Sequence, residues 1–152
     1  MAALTFARVT DERTADAWRR VHNEIIPSDP LTLDQVVGRT ATYTLDLASL
    51  GDVVVGCSTV RPAADNAPVT VIVRILPAFR KRGYGSTFLS HALSRARELD
   101  AVNVQTIVHA SNSDGMDFAV RRGFVETARY TMEGDTVPYV HLAARLDDLT
   151  TR

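Results

Sequence analysis

The sequence predicts a mixed α/β fold, one layer of strands with helices on both faces, and three observations lead to it. Short runs rich in β-branched residues alternate with stretches whose apolar residues recur at helical spacing, in the order β-α-α-β-β-β-α-β-α-β-β. No repeat, low-complexity tract or Pro/Gly/Ser-rich linker breaks that order. The 152 residues, 45% hydrophobic and 23% charged, suit one globular domain, expected to occupy residues 1–152.

Leu4, Phe6 and Val9 outline a first strand. Ala15, Trp18, His22 and Ile25 share one helix face, and Pro27 and Pro30 end that helix. Thr32 with Gln35 forms a capping box and Leu31 with Val36 a hydrophobic staple, so a short second helix should run to about Gly38. Between the helices, residues 22–29 read as a bent polar connection. Residues 40–48 and 53–60 read as a strand pair joined by a turn at 49–52, and 69–76 as a third strand. Phe88, Leu89, Ala92, Leu93, Ala96 and Leu99 then mark a helix of about four turns. A strand over 102–109 follows, then a helix over 113–122 stopped by Gly123. A final hairpin pairs 124–130 with 137–146 around Glu133, Gly134 and Asp135.

Composition excludes several classes. Cys57 is the single cysteine, so there is no internal disulfide and no Cys-based zinc cluster, which suits a reducing compartment. The scattered histidines His22, His91, His109 and His141 do not suggest a metal site, and no metal is expected. The first eight residues lack a basic start followed by a long apolar stretch, and no apolar run approaches the roughly 18 residues that span a bilayer. The expectation is a cytoplasmic protein without a membrane partner. A net charge of -1 argues against whole-surface attraction to nucleic acid. Locally, residues 66–97 carry six basic side chains (Arg74, Arg80, Lys81, Arg82, Arg95, Arg97) and no acidic one, a place for an anionic ligand.

The informative stretch is the loop over residues 75–86, which joins a strand to the start of the four-turn helix. Free N–H groups at a helix N-terminus face outward with the positive end of the helix dipole, and Gly83 and Gly85 let a phosphate approach that backbone. Arg80, Lys81 and Arg82 add charge. The plainer reading is a strand-to-helix turn whose basic residues are solvated. A P-loop does not fit, because Lys81, the only lysine, precedes the glycines. A dinucleotide fold does not fit either: Phe88 stands where the third glycine belongs, and no acidic residue closes a second strand about 20 residues on.

At Arg80-Lys81-Arg82-Gly83-Tyr84-Gly85 the chain resembles the GNAT superfamily of acyl-CoA-dependent N-acyltransferases, whose signature is Arg/Gln-x-x-Gly-x-Gly/Ala at the start of a helix after the fourth strand. Asn112 and then Phe118-Ala119-Val120-Arg121-Arg122-Gly123-Phe124 look like that family's Asn-led segment ending in Gly-Phe. The resemblance implies a GNAT-like fold with splayed parallel strands 4 and 5 and acetyl-CoA as co-substrate. Backbone groups of Val73, Arg74 and Ile75 would pair with the pantetheine arm, and amides of Lys81, Arg82, Gly83, Tyr84, Gly85 and Ser86 would hold the pyrophosphate. Asn112 would touch the cofactor arm.

The family's chemistry is direct attack of an acceptor amine on the thioester, so Cys57 is expected as a core residue and not a nucleophile. A primary amine with a reference pKa of about 10.4 needs a base or a water relay. The thioester oxygen needs a donor, for which an N–H near Ile75 or Leu76 would serve. Two departures stand out. Ala119 occupies a position where many relatives carry a tyrosine acid, and residues 69–76 hold Arg74 but no glutamate base. His109, sharing alternation parity with Gln105, is a candidate base facing the cleft. Glu24 and Asp29 are candidates to bind or deprotonate an amine, and Tyr130 and Tyr139 candidate proton donors; solvated carboxylates and packed tyrosines are the plainer readings. His91 is expected on the outer side of its helix. Arg74 either attracts an acidic substrate group or balances a carboxylate.

The sequence therefore leads to an N-acetyltransferase acting on a primary amine of a small molecule or peptide, with the final hairpin available for pairing in a homodimer. An acyl-CoA-binding sensor without turnover is the alternative, motivated by Ala119 and the missing glutamate. A nucleic-acid-binding domain using Arg80, Lys81 and Arg82 is the third.

Overall fold

Local sequence signals set most helix boundaries in the computed structural model, which describes residues 3–151; Met1, Ala2 and Arg152, the ends of the expected domain, lie outside the described residues. Helix α1 (Glu12–Ile25) opens on a capping box in which the Asp11 side chain accepts from the Thr14 amide at 2.8 Å. Helix α2 (Leu33–Arg39) opens on the box expected from Thr32 and Gln35, whose amides each donate to the other's side chain at 2.8 and 3.1 Å. Helices α3 (Tyr84–Glu98) and α4 (Ser113–Arg122) follow, the latter ended by Gly123 at φ 111°.

Seven strands alternate with these helices: β1 (Leu4–Arg8), β2 (Thr44–Leu50), β3 (Val53–Arg61), β4 (Val69–Ile75), β5 (Asn103–His109), β6 (Val125–Tyr130) and β7 (Tyr139–Arg145). They form one sheet in the order β1-β2-β3-β4-β5-β7-β6, so β7 lies between β5 and β6. β4 and β5 pair in parallel; every other neighbouring pair is antiparallel. The mixed α/β class and the element order agree with the sequence reading.

Three boundaries differ. Residues 40–43 extend α2 as a turn, with the Thr42 and Tyr43 amides both donating to the Arg39 carbonyl, so β2 begins at Thr44. Local hydrogen bonding there outweighs the β-preference of Thr40 and Thr42. α1 runs through Ile25, which places Glu24 in its last turn and leaves residues 26–32 as the connection. β7 begins at Tyr139, and the β6–β7 connection is longer than a tight turn.

The helices cover the sheet unequally. α1 and α2 pack over β2, β3 and the near part of β4, burying Trp18, Val36, Leu45, Leu47 and Cys57. The Trp18 indole N–H donates to the Ser58 carbonyl at 2.9 Å, so its polar edge is satisfied inside the core. On the opposite face α3 and α4 bury Val60, Val71, Leu89, Leu93, Phe124 and Leu142. Each such side chain is worth about 1.5–3 kcal/mol relative to exposure. His91 faces the sheet, contrary to the sequence expectation: its Nε2 lies 2.9 Å from the buried Asp46 carboxylate and its ring stacks on Phe6 at 4.1 Å. Cys57 is fully buried, and burial pushes its thiol up to about 12, as a core cysteine should behave. No helix among the described residues is long and apolar enough to cross a membrane, and no three His, Cys, Asp or Glu side chains among them converge as metal ligands.

His22 makes the fold acid-sensitive. It stacks on Trp18 at 5.5 Å, and burial depresses its pKa from 6.5 to about 4, with Arg74 and Arg39 adding to the effect and Asn23 and Asp29 opposing it. The unfolded chain binds a proton that the folded chain excludes, so this contribution is complete above about pH 6.5 and is lost as pH falls toward 4. At about 1.4 kcal/mol per pH unit the loss comes to roughly 3 kcal/mol. Urea unfolding at pH 7.5 and 4.5 should therefore show a larger drop for the natural protein than for His22→Gln; equal drops would contradict it.

Candidate active site

β4 and β5 separate almost as soon as they meet. Backbone pairing is confined to Val69 with Val104 and Thr70 with Gln105, and at that last step the Gln105 side-chain amide donates to the Thr70 hydroxyl at 2.8 Å. Beyond it the strands diverge, each still paired on its outer side: β4 with β3 through Ile75, β5 with β7 through His109. The Leu76 amide donates to the Val55 carbonyl at 2.8 Å, and the alternation of an antiparallel ladder then directs the N–H groups of Val73 and Ile75 away from β3, into the gap. Leu76 is thus removed as an oxyanion donor, and Ile75 remains.

The gap opens into a cleft of about 290 Å³ that reaches the N-terminus of α3. No side chain caps the first amides of α3. Lys81 and Gly83 both have positive φ, 64° and 85°, which turns successive amides of the loop toward one side. Gly85 permits close packing, since a Cβ there would lie 2.9 Å from the Phe118 ring. Val73, Arg74, Ile75, Lys81, Gly83, Gly85, Ser86 and Asn112 line the cleft, as the sequence suggests.

Other expected cofactor residues do different work. Arg80 lines the cleft but is engaged, its Nε donating to the Ile75 carbonyl at 2.7 Å and its terminal nitrogen pairing with Asp114 at 3.0 Å. It ties the end of β4 to the first turn of α4. Arg82 lies over the Phe79 ring at 5.9 Å and Tyr84 packs in the cluster around Phe88, neither among the cleft residues. The three consecutive cations therefore do not act as one basic patch. Asn112 caps α4, its side-chain oxygen accepting from the Gly115 amide at 3.0 Å.

Sequence reasoning missed Arg122. Its guanidinium donates to the Ser86 hydroxyl at 2.5 Å and lies 4.3 Å over the Phe118 ring, while its Nε is buried without a hydrogen-bond partner. The spacing Phe118 to Arg122, one helical turn, was the available signal.

On the face bearing α1, beyond the reach of that helix, the floor continues across β5 and β7. His109 is 4% exposed, lines the cleft, bonds through Nδ1 to the Ser111 hydroxyl at 2.5 Å and meets the Tyr139 ring edge-on at 5.0 Å. Ser111 does not engage its Nε2. The Tyr139 hydroxyl donates to Asp29 at 2.5 Å; burial and that bond push its pKa up, so it is a poor acid at neutral pH. Tyr130 stacks on Tyr139 at 6.0 Å and is largely exposed. Glu24 is exposed on α1 and does not line the cleft, so the structure does not bring it together with His109.

The family profile described as Acetyltransferase (GNAT) family matches residues 11–124. The chain belongs to that family. No curated protein matches it significantly in sequence. Among solved structures it is similar to one proposed as a phosphinothricin N-acetyltransferase, with 20% identity, 94% of this chain and 98% of that one covered, and a TM-score of 0.77. It is also similar to YncA from Salmonella typhimurium, solved with its cofactor acetyl-CoA, at 17% identity, coverage of 96% and 95%, and a TM-score of 0.74. Ard1 from Thermoplasma volcanium gives 17%, 94% and 97%, and 0.79. At these identities the likeness shows the GNAT fold, with its parallel fourth and fifth strands.

Acetyl-CoA is the co-substrate of this acetyltransferase, and the residues present fit it. Unpaired main chain in the gap suits an amide-bearing arm, and uncapped helix amides beside the unpartnered Arg122 Nε suit a phosphate. Gly83→Val forces a β-branched residue into the left-handed region at about 1–3 kcal/mol, and Gly85→Val displaces the Phe118 ring. Each should weaken coenzyme A binding at least about tenfold, or 1.4 kcal/mol, with a cooperative thermal transition retained. Calorimetric titration checks this, and unchanged affinity in both would refute the placement. Arg122→Ala should lose a comparable factor.

Proposed function

We propose that the protein moves the acetyl group of acetyl-CoA to the primary amine of a small-molecule or peptide acceptor by direct attack. The observation that carries this reading is the position of His109, at the point where the β4–β5 cleft meets the open floor of β5 and β7. Acetyl-CoA supplies, when bound, an activated carbonyl that accepts the amine and a thiolate that leaves. The Ile75 N–H donates to the carbonyl oxygen as charge develops there. His109 Nε2 takes the proton from the attacking amine, and Ser111 holds the ring in orientation through Nδ1. Ala119, buried at 3%, offers no hydroxyl to the departing sulfur, so the proton that His109 collects is the one available for return to it. Glu24 is left as a solvated helix carboxylate, and Tyr130 as a wall of the acceptor side. The exposed edge of β6 is the place for a second copy of the chain.

A cytoplasmic enzyme that uses no metal is part of this proposal. The alternative, an acyl-CoA sensor without turnover, rests on the same Ala119. Thiol release measured over a panel of amines separates the two: turnover with any amine supports the enzyme, and saturable acetyl-CoA binding with no release supports the sensor. His109→Gln should lower kcat about 10² to 10⁴-fold and abolish the limb of the pH–rate profile that reports the base. A profile unaltered in shape would remove His109 from this role.

A further inference from the structure

Strand register sends two arginines to the acceptor side of the sheet. Arg61 lies opposite Thr70 and Arg74 opposite Cys57, so both leave on the face that α1 and α2 cover, and Arg39 ends α2 beside them. Burial lowers the pKa of Arg39 and of Arg74, with Arg61 adding to both shifts and Arg39 to that of Arg74. Some arginines elsewhere in the molecule find carboxylates: Arg19 and Arg20 have Asp16, Arg80 has Asp114, Arg95 has Asp46 and Arg129 has Glu126. Among the described residues Arg39, Arg61 and Arg74 make no such pair. Arg61 Nε is buried with no hydrogen-bond partner, and its guanidinium rests over the Tyr43 ring at 5.0 Å.

The carboxylate near Arg39 is Asp29, which already accepts from Tyr139. The other titratable groups at this site include His22, kept neutral by burial, His141, whose pKa is depressed by burial and Arg61, the Cys57 thiol beside Arg74, and the hydroxyls of Tyr43 and Tyr139. Asp135 acts on Tyr139 from farther along the β6–β7 connection. Arg39 and Arg61 line a basin with Tyr43, and Arg74 lines the cleft, so both carry positive charge on this face of the sheet. An ammonium group alone is repelled there, and unpaired guanidinium groups removed from water are costly unless an anion completes them.

We propose that the acceptor is a small amine bearing its own oxyanion, a carboxylate or a phosphonate, which Arg39, Arg61 and Arg74 grip while the amine points to His109. This rests on the acetyltransferase reading above and specifies its acceptor. Arginine suits the task because its planar fork meets a carboxylate or phosphonate with two parallel hydrogen bonds. A small molecule is favoured over a peptide by the Asp29–Tyr139 hydrogen bond, which ties the α1–α2 connection to β7 across the basin where a peptide main chain would continue.

The test uses the full chain saturated with coenzyme A and measures amine binding by calorimetry, then thiol release with acetyl-CoA. The probes are the common α-amino acids, their carboxamides, 2-aminoethylphosphonate, and peptides with acidic N-terminal residues. The expected result is that at least one amino acid or the phosphonate binds, that its neutral carboxamide or ester counterpart binds at least tenfold more weakly, and that the carboxylate and phosphonate arms tell which oxyanion is preferred. Arg61→Gln and, separately, Arg39→Gln should raise KM for that amine at least tenfold with a smaller change in kcat and no change in coenzyme A affinity. Neutral amines binding as well as anionic ones, peptides binding best, or no anionic amine binding at all would each overturn the proposal. Failure of coenzyme A itself to bind would instead defeat the acetyltransferase reading.

Discussion

The sheet holds together on both sides of β4 and β5 and hardly at all between them. Two residue pairs, fixed by the Thr70–Gln105 side-chain bond, are the hinge from which the halves diverge. A sheet that stops pairing mid-strand leaves backbone donors and acceptors open, which is costly unless something with matching amides enters. The surrounding architecture keeps that gap from closing or collapsing. α4 is tied to the loop before α3 and to its first turn by Arg80 with Asp114, Phe118 with Gly85, and Arg122 with Ser86. The groups that would contact the thioester and the phosphates belong to two banks, and the core beneath α3 and α4 forms one wall of the cleft through Val71, Leu89, Val108 and Phe124.

Much of this was legible in the sequence because its causes are local. A capping box, an apolar stripe and a glycine at a helix end act over a few residues, so α2, α3 and α4 followed from short-range rules. The phosphate cradle was visible for the same reason, as a glycine pair at the start of an amphipathic helix. What was not legible depends on pairing across the chain. His91 looked solvent-facing on its own helix, and only the register of β1 and β2 brings Phe6 and Asp46 against it. Arg80 looked like an anion ligand until the fold placed Asp114 and the Ile75 carbonyl around it. Glu24 falls both within the helical face that reaches Ile25 and within the polar stretch at residues 22–29, and backbone hydrogen bonding resolves it into the last turn of α1.

Charge divides the two sides of the site. On the cleft side Arg80 is neutralised by Asp114, and main-chain donors with Lys81, Arg121 and Arg122 near them are what a cofactor would meet. On the face that α1 and α2 cover, Arg39, Arg61 and Arg74 make no ion pair among the described residues. Arg61 Nε there and Arg122 Nε beside the cleft are both buried without a hydrogen-bond partner, and such departures from local stability are where function is expected to reside.

The central claim is that the β4 edge facing β5 receives the cofactor arm through the amides of Val73 and Ile75. Residue-resolved hydrogen exchange with and without saturating coenzyme A tests it directly. Exchange at Val73 and Ile75 should slow by roughly tenfold or more on binding, while the Arg74 amide, which already faces β3, should change little. Tight binding of coenzyme A with no added protection at Val73 and Ile75 would contradict the account.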